Sequence, residues 1–210
     1  MPSLVHVLSQ HRRVLLLDAA STRVQTGWWD TDQPVRWAGA TAEAGVAVFE
    51  TIAQLGVRPT DAQAYLFCEG PGSILGIRTV AMALRAWQVL APKPVYAYSS
   101  LALLGTRAPD ATIIADARRE LWHSYRAGEG LRRRPASELS GRLVMPEEFR
   151  HWSPLPVGVE RLPYSVDSLL ANAGEVDLFH LVEAPDAFLH EEPSYVTWTP
   201  QIHRAPGALP

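Results

Sequence analysis

The stretch "AQAYLFCEGPGSILGIRTVAMALRAW" constrains the fold more than any other part of the chain. An unbroken apolar run without alternation is what a strand buried on both faces requires. Three glycines, Gly70, Gly72 and Gly76, follow it, and a helical pattern runs from about Ser73 to Leu90. That helix is apolar round most of its girth, through Ile74, Leu75, Ile77, Val80, Met82, Leu84, Trp87 and Leu90. Such a helix is buried in a sheet, a domain crevice or a partner. Strand, tight turn and long helix together announce a sheet with parallel members.

The neighbouring sequence extends this pattern. "RRVLLLDAASTRVQTGWWD" reads as a doubly buried strand, Val14 to Leu17, then a polar turn and the returning strand of a hairpin. "TAEAGVAVFETIAQLG" places Ala44, Ala47, Val48, Ile52 and Leu55 at helical spacing, and Gly56 and Pro59 end it. Its other face carries small residues, Ala42 and Gly45, which permit close approach of another helix. "KPVYAYSS" is a third strand, followed by a short helix through Leu104. The order β-hairpin, α, β, α, β, α marks an α/β fold.

From about Arg107 the texture changes. "ATIIADARRELWHSYRAGEGLRRRPASEL" reads as three strands joined by two turns. Residues 136–151 read as a short helix or loop, and the proline-rich "SPLPVGVERLP" as a strand edge or connector. "SVDSLLANAGEV" is a helix capped at Ser165 and ended near Gly174. The expected division is a first lobe over 14–106, a smaller second lobe over 107–200, and flexible termini at 1–13 and 201–210. No internal repeat is visible.

Composition narrows the function classes. The 210 residues are 47% hydrophobic, enough for real cores. A net charge of −3 gives no overall electrostatic footprint for nucleic acid. The local "RAGEGLRRRP", with Arg126, Arg132, Arg133 and Arg134, reads as a solvated hairpin rim, with an RNA contact as the alternative. Cys68 is the single cysteine, which excludes an intrachain disulfide, fits a reducing compartment and lies in an apolar run as a buried thiol. "MPSLVHVLSQHRR" lacks the pattern of a secretory signal. No stretch approaches roughly 18 uninterrupted apolar residues. A cytoplasmic protein without membrane contact is the expectation.

Each candidate site has two readings. Gly70, Gly72 and Gly76 make G-x-G-x-x-x-G, which is neither the dinucleotide fingerprint nor a Walker A loop. The alternatives are an anion cradle at the helix start, capped by Ser73, and a tight turn that packs a helix. "DAAST" could hold a metal–nucleotide through Asp18, with Ser21 and Thr22 donating to phosphate, or close a hairpin with its own side chains. "DARRE" sets Asp116 beside Arg118, Arg119 and Glu120, as an ion-pair network or an anion-reading site. The histidines at 6, 11, 123, 151, 180, 190 and 203 include no pair at i, i+4, so no helical zinc site is expected. There is no G-x-S-x-G element, and Ser73 has no evident base.

Taken together, these segments resemble the TsaB family, also called YeaZ. "VLLLDAAST" is similar to the family's "ILAIDTST", and "EGPGSILGIRTVAMAL" to its "GPGSFTGLRIG". "PVYAYSSLALL" is similar to "PVVGVSSLEAL", and "ADARRELWHSYR" to "DARRGEVY". The order and spacing match from about Val14 to Arg126, and "EPSYVTWTP" is a weaker echo of a closing "P-x-Y-x-R" strand. This chain departs from the family at Ile74-Leu75, where Phe-Thr is usual, at "TAEAG", where His-Ser opens the helix, and in about thirteen residues before the first strand.

The resemblance implies an actin-like ATPase fold of two ribonuclease-H-like lobes, the second reduced. It implies a non-catalytic scaffold in the synthesis of threonylcarbamoyladenosine in tRNA. Such a subunit forms a homodimer, or a heterodimer with the catalytic paralogue TsaD. A TsaE-type ATPase acts through the complex, and tRNA is met only indirectly. Pairing would use the helices at Ala42–Leu55 and Ser73–Leu90, with Ala44, Val48, Ile52, Ile77, Met82, Leu84 and Trp87 at the interface. No catalytic residue, metal or cofactor is expected, and the family's older label, peptidase class M22, finds no catalytic support. The alternatives are an actin-like enzyme binding ATP and magnesium through Asp18, Ser21, Gly70, Gly72, Ser73, Gly76 and Asp116, or a diverged paralogue repurposed as an interaction scaffold.

Overall fold

Arg13–Asp18 (β1) is the strand on which the first sheet is built, and Val14 through Asp18 are all buried. The structure is a computed structural model that describes residues 1–188. The closing "EPSYVTWTP" strand, the residues at 189–210 and the histidines at 190 and 203 lie outside the described residues.

β1 pairs antiparallel with Val24–Asp30 (β2), which pairs antiparallel with Gln33–Ala40 (β3). On its other side β1 runs parallel to Ala64–Gly70 (β4), and β4 runs parallel to Val95–Ser99 (β5). Helix Ala44–Leu55 (α2) joins β3 to β4, and helix Ile74–Leu90 (α3) joins β4 to β5. Ser100–Gly105 (α4) follows β5 directly, and Ser99 caps it by accepting from the Ala102 amide.

A second sheet follows with Thr112–Asp116 (β6), Leu121–Arg126 (β7), Gly130–Pro135 (β8), Leu143–Pro146 (β9) and Glu160–Leu162 (β10). Val166–Ala173 (α5) comes next, and His180–Leu181 (β11) returns to the edge of the first sheet beside β5. The first sheet has the order β11-β5-β4-β1-β2-β3 and the second β10-β9-β6-β7-β8. Leaving β11 aside, the two orders are the same. In each, a three-stranded antiparallel meander is extended by two parallel strands on the side of its first strand. The architecture therefore contains a repeat that the sequence conceals. In the first unit the crossovers are α2 and α3, whereas the second makes the same crossovers without an α-helix.

Doubly buried strands follow from two cores. Leu15, Leu17, Tyr65 and Phe67 pack with Val48, Ile52, Val80 and Leu84 of α2 and α3. The alternate residues Val14, Leu16, Leu66 and Tyr98 pack with α4, α5 and the second sheet. The amino-terminal segment expected to be flexible contains a helix instead, Leu4–Gln10 (α1), capped by Ser3. Leu4 and Val7 are buried in the second core, and the Val5 amide donates to the Gly174 carbonyl at 3.0 Å. No helix among the described residues is long and apolar enough to cross a membrane.

Candidate functional site

β1 ends on Asp18, which is wholly buried. Its Oδ2 accepts hydrogen bonds from the Tyr98 hydroxyl at 2.5 Å and the Tyr164 hydroxyl at 2.8 Å, and its Oδ1 accepts from the Ala20 amide at 2.9 Å. Tyr98 comes from β5 and Tyr164 from the approach to α5, so one carboxyl ties distant parts of the chain together. Burial pushes the Asp18 carboxyl up, against the opposing pull of Tyr98, Ala20, Tyr164 and Cys68. Burial likewise raises the Tyr98 and Tyr164 phenols and the Cys68 thiol well above their usual ranges, with the Asp18 charge adding to it. Cys68 is thus an inert packing residue.

The glycine turn leans on the β1–β2 turn. A Cβ on Gly72 would stand closer than 3.0 Å to the Ala20 carbonyl oxygen, and one on Gly76 equally close to that of Ala19. The Ser73 amide donates to the Ala20 carbonyl at 2.7 Å, and the Ser73 hydroxyl caps α3 by accepting from the Gly76 amide at 3.3 Å. Ser21 donates to the Arg23 carbonyl at 2.7 Å and accepts from the Arg23 amide. Ser100 donates to the Pro71 carbonyl at 2.5 Å. Asp18, Ser21, Gly70, Gly72, Ser73 and Gly76 are therefore neighbours through these two turns, and their polar groups serve each other. ATP and magnesium do not fit this arrangement, because the Asp18 carboxyl is enclosed and its oxygens accept three protein donors.

Asp116 has different partners. It accepts from the Arg118, Trp152 and Ser153 amides, the last two at 2.6 Å, and so pins the segment after β9. Partial burial alone would raise its carboxyl, but the Ser153, Trp152 and Arg118 amides outweigh that and hold it below the ordinary value. Arg118 lies 4.4 Å from the centre of the Trp152 ring. Among the described residues no group of three His, Cys, Asp or Glu side chains is placed to hold a metal ion.

The interface residues expected from the sequence divide between buried and exposed positions of α2 and α3. Val48, Ile52 and Leu84 are buried in the core that α2 and α3 share with the first sheet, and Ile77 is buried in the other core with Leu66 and Tyr98. Trp87 is half-buried against Tyr65, with ring centres 5.8 Å apart, and Ala44 is half-buried. Met82 is on the outside, 61% exposed. Val46 and Phe49 of α2 and Leu75, Val89 and Leu90 of α3, none of them among the interface residues expected from the sequence, are exposed as well. Leu75, Met82 and Val89 recur at seven-residue intervals, so they form one stripe. The sequence contains this signal as surplus, because α3 has more apolar positions than one sheet-facing stripe uses.

Comparison with protein-family models finds none that matches, and comparison with curated proteins finds none either. Solved structures do match in fold. YeaZ from Pseudomonas aeruginosa is 19% identical with a TM-score of 0.55, over 77% of this chain and 91% of that one. An uncharacterised protein described as similar to peptidase YEAZ from Pseudomonas aeruginosa gives the same identity and TM-score, over 88% of this chain and 99% of the other. The shared property is the fold.

Proposed function

We propose that this chain is a partner subunit of the YeaZ (TsaB) kind. In this reading it associates through the outer face of α2 and α3 with a second copy or with a TsaD-type catalytic paralogue. The assembly makes threonylcarbamoyladenosine in tRNA, with a TsaE-type ATPase acting through the complex. This chain works in the cytoplasm and supplies no catalytic group. The observation that carries the reading is the exposed apolar stripe of Leu75, Met82 and Val89 on α3, together with exposed Val46 and Phe49 on α2. Apolar surface gathered on one face of paired helices is what an association surface requires.

Three further features support it. The repeated strand order agrees with two ribonuclease-H-like units of an actin-like fold. The second unit is reduced, since its crossovers lack α-helices. The Asp18 region is closed by its own tyrosines, as suits a subunit whose ancestral nucleotide crevice has become core.

The reading is tested by a charge on the stripe. Met82→Glu and Phe49→Glu place carboxylates at exposed positions, so folding and unfolding midpoint should stay close to wild type. Retention of the TsaD-type paralogue on the immobilised protein should fall by about tenfold or more, equivalent to about 1.4 kcal/mol. Undiminished retention by both variants removes α2 and α3 from the interface.

A further inference from the structure

The outer face of the second sheet holds a small polar cavity. Ser124 pairs with Ile114 and Arg132 across the strands, and Arg126 pairs with Gly130. With side chains alternating along β7 and β8, Ser124, Arg126 and Arg134 share one face. Tyr125 points the other way, onto Gly105 of α4. The first unit covers the face opposite α4 with α2 and α3, but here Leu139 and Ser140 of the connecting segment reach over instead. A cavity of about 30 Å³ remains, lined by Ser124, Arg126, Glu129, Arg134 and Ser140.

Two observations bear on what it takes. The Ser124 hydroxyl is buried, with the residue 2% exposed, and has no hydrogen-bond partner. An unsatisfied buried hydroxyl costs about 1–3 kcal/mol, so a group that satisfies it is favoured. Beside it stand two guanidiniums against a single carboxylate, Glu129, which is 3.5 Å from Arg134. The Thr112 hydroxyl, also at the cavity, already donates to the Ser140 carbonyl. The guanidiniums of Arg126 and Arg134 only donate and the Ser124 hydroxyl can donate, and forked guanidinium donors match a tetrahedral oxyanion.

We propose that this cavity binds a free phosphate or phosphomonoester group, held by Arg126 and Arg134 with the Ser124 hydroxyl donating a further hydrogen bond. The small volume favours that source over a backbone phosphodiester, which must leave the cavity on both sides of the phosphorus. The site lies on the second sheet and is independent of the association reading.

Calorimetric titration of the full chain with inorganic phosphate, at ionic strength held constant with chloride, tests this. Saturable binding is expected, weakened about tenfold by Arg134→Lys and about threefold by Ser124→Ala. Glu129→Gln removes the competing carboxylate and should tighten binding several-fold, a gain that a merely structural role would not give. Met82→Glu should leave the titration unchanged. Absent binding, or an affinity indifferent to Arg134, Ser124 and Glu129, overturns the proposal and leaves water to satisfy Ser124. Displacement of phosphate by a short single-stranded RNA at equal phosphate concentration overturns the assignment to a free or monoester group.

Discussion

Asp18→Ala should lower the thermal unfolding midpoint by roughly 6–12 °C, whereas Asp18→Asn should lower it by only a few degrees. The carboxyl is enclosed and accepts from Tyr98, Tyr164 and the Ala20 amide. Alanine leaves two buried phenols and an amide without this acceptor and opens a small void, which together cost about 3 kcal/mol. For a chain of this length each kcal/mol moves the midpoint by about 2–4 °C. Asparagine keeps the shape and one acceptor oxygen. The pair also separates in pH. The folded carboxyl is raised above its ordinary value of 3.8, so its contribution is fully present below that value and is lost as pH rises through the raised one. Asp18→Asn lacks that titration, so its deficit relative to wild type should shrink as pH rises. Differential scanning calorimetry across pH checks both parts, and a deficit that grows with pH contradicts the sign of the shift.

Gly76→Ala should destabilise by about 3 kcal/mol, reversing the usual effect of that substitution inside a helix. Replacing a helical glycine with alanine ordinarily stabilises by about 1 kcal/mol. At Gly76 the added methyl meets the Ala19 carbonyl oxygen closer than 3.0 Å, and that atom belongs to the turn leading out of the buried β1. Either α3 or the turn must then move, which places the cost at the upper end of overpacking. Gly45 on α2 is the internal control, because a Cβ there has no neighbour within 4 Å. Gly45→Ala should stabilise by up to about 1 kcal/mol. Urea denaturation of the two variants gives opposite signs, and a neutral Gly76→Ala sinks the close-packing account of the glycine turn.

Much of this was legible in the sequence because it is local. β1 and β4 announce themselves as unbroken apolar runs, and α2 and α3 by periodicity, with Ser73 and Gly56 at their ends. β3 escaped because it is an exposed edge strand containing Pro34, with little apolar signal. β9 escaped because four buried residues between polar segments are too short to read. α1 looked like a loose end because what orders it, the Gly174 carbonyl and the second core, lies far along the chain.

The site was legible in its parts but not in its use. Asp18 and the glycines stand out as motifs, yet whether they cradle an anion or pack a helix depends on Tyr98 and Tyr164, 80 and 146 residues away from Asp18. The outward face of α3 was hidden for a related reason. With apolar residues nearly all round, periodicity identifies a helix but does not say which stripe the sheet takes. The repeat of strand order is invisible in sequence because the second unit closes its crossovers with segments of different texture.

In the proposed reading the exposed apolar residues of α2 and α3 are covered by another protein. Sedimentation equilibrium of the purified chain, alone and mixed with the TsaD-type paralogue of its own organism, tests it most directly. A dimer mass is expected in at least one of the two samples, and a monomer mass for Met82→Glu under the same conditions. A wild-type chain that stays monomeric at high concentration in both samples would contradict it.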